Sequence, residues 1–116
     1  MTTRIYVAGT PALLAEWHDA GAVPADAARV LAPADDEDVE YDALMTAAVL
    51  SAELLPEGGR RVVVVAETSG TDTEGPLGLL DWVAVHCDVT DRPADADPAD
   101  DLAWFATQEI DAILAD

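Results

Sequence analysis

Four consecutive valines, Val62-Val63-Val64-Val65, constrain the fold of this chain more than any other feature. They lie in a run from Arg60 to Ala66 with no polar alternation. β-Branched residues suit a pleated strand. A strand that is apolar on both faces has to be covered on both faces, as in sheets sandwiched between helices. The run therefore predicts a central strand near residues 61–66. Trp82 to Cys87 repeats the signature and predicts a second such strand at 82–87.

The rest of the chain alternates around these two runs. Arg4 to Ala8 is a short β-rich segment, and residues 28–32 carry Arg29-Val30-Leu31 before Pro33. Between them, Thr10 is suited to cap a helix and Pro11 to its first position, where a missing N–H costs nothing. Leu13, Leu14 and Trp17 fall on one face of that helix, and Gly21 suits its left-handed end. A second helix is expected over Val39–Leu55, with Tyr41, Leu44, Met45, Ala48, Ala52 and Leu55 at three- and four-residue steps. Pro56-Glu57-Gly58-Gly59 ends it. Leu77 to Leu80 reads as a single helical turn, and Pro98 to Leu114 as a third amphipathic helix. The order β-α-β-α-β-(turn)-β-α favours an α/β layer. The expectation is one α/β domain over residues 1–116: a small four-stranded, mainly parallel sheet flanked by three helices, with right-handed crossovers.

Charge bounds the function. The chain has 24 acidic residues against five basic ones, all arginine, for a formal net charge of -19 on 116 residues. Binding to the phosphate backbone needs cations that displace counterions, so nucleic acid is excluded as a partner. Anionic membrane surfaces are excluded likewise, and no run of about 18 apolar residues suggests a spanning helix. Three causes fit the acidity. Coding bias fits the abundance of Ala, Val, Asp and Arg without lysine; salt adaptation and mimicry of nucleic acid by carboxylates also fit. Mimicry needs rows of acids on one face, whereas here they cluster in Asp35-Asp36-Glu37-Asp38 and between Asp95 and Asp101. Cys87, the single cysteine, cannot form an internal disulfide, and Met1 to Val7 lacks the basic segment and apolar stretch of a signal peptide. A cytoplasmic location is expected.

Motifs that carry chemistry are scarce. Gly9-Thr10-Pro11 lies before a helix, but has no G-x-G-x-x-G or P-loop pattern and no lysine. Thr68-Ser69-Gly70-Thr71 follows the central strand, at the end where parallel sheets bind ligands. The acidic clusters fail the spacing of a calcium loop. No cysteine–histidine spacing suits zinc, so no metal and no cofactor is expected. His86 and Cys87 are strand neighbours whose side chains point to opposite faces, so they form no nucleophile–base dyad.

The last segment holds the oddest residue. On a helical wheel, Leu102, Phe105, Ala106, Ile110 and Ile113 form an apolar stripe with Glu109 near its centre. A carboxylate buried there needs a cation, and Arg4, Arg61 or His86 is the expected partner. Trp104 and Gln108 fall on the outer face, where an aromatic suits an interface.

Several segments resemble one family. They are Arg4-Ile5-Tyr6-Val7, Val39-Glu40-Tyr41-Asp42-Ala43-Leu44, Arg60-Arg61-Val62-Val63-Val64, Val83-Ala84-Val85-His86 and above all Trp104-Phe105-Ala106-Thr107-Gln108-Glu109-Ile110. Together they resemble a family of small uncharacterised actinobacterial cytoplasmic proteins, in which the last segment usually reads Trp-Tyr-Ala-Thr-Gln-Glu-Ile. Phe105 departs from that pattern. The resemblance spans most of the chain and implies an α/β protein of actinobacterial origin, with no catalytic residue to transfer.

The reading that follows is a non-catalytic, acidic protein-interaction or regulatory module with a protein partner, a basic one for preference. The alternative is a small-molecule binder or enzyme using Glu109 and His86, and the third is a nucleic-acid mimic. Self-association stays open. A deep pocket holding both Glu109 and His86 would favour the enzyme; a flat apolar patch around Trp104 would favour the interaction module.

Overall fold

A computed structural model describes residues 2–33, 36–69 and 73–115. Strand β1 (Thr3–Gly9) leads into helix α1 (Pro11–Ala20), the short strand β2 (Ala22–Val23) and strand β3 (Arg29–Pro33). Helix α2 (Glu37–Glu53) precedes strand β4 (Val62–Thr68). Then come β5 (Leu77–Gly78), a 3₁₀ turn (Leu79–Asp81), β6 (Trp82–Cys87), β7 (Ala103–Phe105), a second 3₁₀ turn (Thr107–Glu109) and helix α3 (Ile110–Leu114).

The main sheet has five strands in the order β3-β1-β4-β6-β7, and β2 pairs with β5 in a separate ribbon. β4 lies at the centre, as the valine run predicts. The expected mainly parallel, four-stranded sheet is overturned, because every neighbouring pair is antiparallel. β3 and β4 share a direction but flank β1, so the α2 crossover joins them without making them neighbours. The β-α alternation is the ground for expecting parallel strands, and burial on both faces does nothing to correct it. An antiparallel sheet with helices on both faces leaves the same apolar signature.

The two faces form separate cores. On one, Leu14 and Trp17 of α1, Ile110 and Ile113 of α3, Val23 and Leu77 cover Ile5, Val7, Val62, Val64, Val85 and Cys87. On the other, α2 packs on Tyr6, Ala32, Val63, Val65 and Ala84. Val62, Val63 and Val64 are wholly inaccessible to solvent. Each such side chain stabilises the fold by about 1.5–3 kcal/mol before its conformational entropy is subtracted.

Helix α1 is laid out as its sequence predicts. The Thr10 side chain accepts a hydrogen bond from Leu13 N at 3.1 Å, Pro11 opens the helix, and Gly21 closes it at φ 79° with its N–H on Trp17 O. Gly9 is required for a different reason: a Cβ there would lie 2.8 Å from Trp17 Cζ3. Helix α2 starts two residues earlier than expected, capped by Asp36, and ends at Glu53. It meets the sheet through Ala43, Ala47, Ala48 and Ser51 rather than through the large apolar residues of the expected face. These small side chains let the helix approach large ones, Tyr6, Val63 and Val65, and leave Tyr41 half exposed at 53%. The Ser51 hydroxyl, fully buried, donates to Gly9 O at 2.7 Å and accepts from Val62 N at 3.0 Å. It ties α2 to the ends of β1 and β4.

The expected helix over residues 98–114 is a second correction. Residues 97–100 form turns, 103–105 join the sheet as β7, and helical geometry begins only at the second 3₁₀ turn. The Arg61 guanidinium explains the break. Its Nη1 donates to the carbonyls of Pro98 and Asp100, each at 2.7 Å. Those oxygens would otherwise accept bonds four residues on in a helix.

Candidate functional site

Helix α2 lies chiefly over β3, β1 and β4. The β6–β7 half of the same face is left to its own side chains. A bulge sits there: Ala66 pairs with Trp82 and Val65 with Ala84, so Val83 is the extra residue. Bulges bend a strand and re-aim its side chains. Val83 is 41% exposed, and Trp104 on the edge strand is 60% exposed.

The step from α2 down to this bare half forms a groove of about 430 Å³. Tyr41, Leu44 and Glu40 form the helix wall. Arg4 and Tyr6 of β1, Val65 of β4, Val83, Ala84 and His86 of β6 and Trp104 of β7 complete the lining. The register brings them together. Tyr6 faces Val65 and Val65 faces Ala84; in the next row Val63 faces His86 and His86 faces Trp104.

The polar members are interlocked. Arg4 Nη1 donates to Glu40 Oε1, and Arg4 Nε lies 3.5 Å from Glu67 Oε2. Burial works against the Arg4 charge, but Glu40 and Glu67 outweigh it and hold the guanidinium above its ordinary pKa. The Tyr6 hydroxyl sits against both Arg4 and Glu40; burial, then the Glu40 carboxylate, push its pKa up. On the rim, the Tyr41 hydroxyl donates to Asp101 Oδ1 at 3.1 Å. His86 is half-buried, and loss of solvent lowers its pKa, so it is neutral in neutral solution.

Of the residues singled out from the sequence, Arg4, His86 and Trp104 meet in this groove. Gln108 and Glu109 do not line it. Both are exposed in the 3₁₀ turn before α3, whose buried face packs into the opposite core. Burial of Glu109 against a cation is therefore overturned. Its Oε1 accepts a hydrogen bond from Ala106 N at 2.9 Å and so caps the turn. The groove residues that the sequence reading missed are Tyr6, Glu40, Val65, Val83 and Ala84, with Tyr41 and Leu44 assigned to the core. One signal was available: Arg4 and Tyr6 are two apart on a strand and must share a face.

All five arginines are engaged. Besides Arg4, Arg29 donates to the carbonyls of Pro24, Ala27, Thr73 and Gly75. Arg60 holds Ile113 O, Arg61 holds Asp88, and Arg92 holds Asp97 O and Asp100. Among the described residues, no cluster of His, Cys, Asp and Glu could hold a metal ion. Cys87 is buried, and burial pushes its thiol up to about 11, so the reactive thiolate is scarce. The Thr68–Thr71 loop and the first acidic cluster extend onto Gly70, Thr71 and Asp35, which lie outside the described residues. No helix among the described residues is long and apolar enough to cross a membrane.

The chain belongs to a family of unknown function (DUF6912), whose model matches residues 3–114. Neither a curated protein nor a solved structure matches it.

Proposed function

We propose that this member of the family is a non-catalytic docking module whose binding face is the bare half of the sheet beside α2, and that its partner is a protein with a basic segment. The observation that carries the reading is the juxtaposition of Trp104, Val83 and Tyr41, exposed aromatic and apolar side chains around one groove. Tryptophan and tyrosine concentrate at interfaces because they bury much area at little entropic cost.

Charge selects the partner. The chain carries a net -19, and its arginines are held by its own acids and carbonyls. Two copies would repel each other, and an anionic ligand would meet no uncommitted arginine. A cationic segment is attracted from a distance and meets acids at the groove rim. The alternative reading needs Glu109 and His86 in one pocket, which the groove lining does not provide. Mimicry needs acids on one face; here Glu16 and Asp19 lie on α1 and Asp38, Asp42 and Glu53 on α2, helices on opposite faces of the sheet. The resemblance at Trp104 to Ile110 supports an actinobacterial source and, with it, a cytoplasmic location.

The test is a photo-crosslinking residue placed at Trp104 and, as a control, at Glu53 on the far end of α2. One defined protein captured in the native cytosol at Trp104 only, with its purified form bound by wild type and not by Trp104→Ala, is the expected result. Equal capture from both positions, or binding unchanged by Trp104→Ala, overturns the reading.

A further inference from the structure

The chemistry of the groove identifies what it holds. Its walls are rings and aliphatic carbons: Tyr41 and Leu44 on one side, Trp104 on the other, Val65, Val83 and Ala84 beneath. Its lining holds one cation, Arg4, paired with one carboxylate, Glu40. Just outside the lining, Glu67 lies beside Arg4 and the Tyr41 hydroxyl holds Asp101 at the rim. Counting these four charged groups leaves an excess of negative charge beside exposed aromatic faces. A volume near 430 Å³ is at the small end for ligand sites and suits a side chain rather than a folded surface.

We infer that the groove is a receptor for a single arginine or lysine side chain of the partner, its methylenes on the aliphatic floor and its charged head against Trp104, Tyr41 and the rim carboxylate of Asp101. This rests on the docking reading above. A cation over an indole or phenol face gains more as it is desolvated, and the long apolar stem of these two residues is what an apolar floor accepts. A neutral apolar side chain would gain nothing from the acids, and an acidic one would be repelled. His86, neutral in this position, adds a flat ring without a competing charge.

The probe is N-acetyl-arginine amide, titrated into the purified protein while the tryptophan indole resonances are followed by NMR. Binding of one residue is weak, on the order of millimolar. The Trp104 indole N–H should shift, while those of Trp17 and Trp82, each 5% exposed, stay in place. N-acetyl-citrulline amide, the same shape without the charge, should bind at least about tenfold more weakly. Trp104→Ala and Tyr41→Ala, both changes at exposed positions, should abolish saturable binding. Equal binding of citrulline, or shifts confined to residues 95–101, would overturn the inference, the latter as counter-ion attraction to the acidic loop. A partner crosslinked at Trp104 whose arginines and lysines can all be replaced without loss would overturn it too, and leave the docking face standing.

Discussion

Arg61 and Asp88 form a two-pronged ion pair almost wholly withdrawn from solvent. Arg61 Nε lies 2.9 Å from Asp88 Oδ2 and Nη2 lies 2.7 Å from Oδ1, with the side chains 2% and 8% exposed. The same carboxylate accepts from Arg61 N, and the remaining donors of the guanidinium reach Pro98 O, Asp100 O and Asp101 O. Arg61 thus ties both ends of the acidic connection between β6 and β7 to the start of β4, while Arg92 braces its middle. Asp88→Ala leaves a buried guanidinium without its counter-charge, at an expected cost of roughly 3–5 kcal/mol. A urea titration measures it. Arg60→Ala, which loses one bond to Ile113 O, is the control and should cost far less.

Ser51 offers a test of how α2 is fastened. Ser51→Ala removes a hydroxyl that serves Gly9 O and Val62 N at once, in a site with no solvent. Stranding buried backbone groups costs about 1–3 kcal/mol. The urea midpoint should fall by the corresponding amount, with the slope unchanged.

His86 sets an acid limb of stability. Its folded pKa is depressed by burial below the ordinary value of 6.5, so the unfolded chain binds the proton more readily. Stability is full above pH 6.5 and declines as pH falls from there through the folded pKa. Thermal melts across this window should fall less steeply for His86→Gln than for wild type.

Glu109 separates the wheel argument from the structure. An exposed carboxylate that caps one turn predicts that Glu109→Ala and Glu109→Gln both melt close to wild type. A large loss in the urea midpoint of either variant would restore a buried pair.

Salt tests the charge as a whole. Screening of like charges should raise the melting temperature between 0.05 and 1 M potassium chloride, where the Debye length shrinks from more than 10 Å to about 3 Å. No binding to duplex DNA is expected at physiological salt.

Particular residues show how far the sequence could be read. Thr10, Pro11 and Gly21 mark the ends of α1 through bonds made within a few residues, and the structure places all three as their chemistry requires. Arg4 and His86 stood out as expected partners of Glu109, and Trp104 as an outward-facing aromatic. The meeting of Arg4, His86 and Trp104 in one groove depends on register between strands far apart in the chain. The stretch from Pro98 to Phe105 misled because its apolar spacing suits a helix, while Arg61, 37 residues before Pro98, takes the carbonyls a helix would need.

What this sequence determined by itself is local or additive. Capping groups, the strand character of the valine run and the sum of charges all follow from residues near one another or from a count. The tertiary structure alone decided strand direction, the partner of Arg61 and the position of the groove. Apolar side chains bury equally well in parallel and antiparallel neighbours, so composition is silent on direction. Only long-range pairing, with β1 between β3 and β4 and α2 crossing above, selects one arrangement and leaves half a face of the sheet bare.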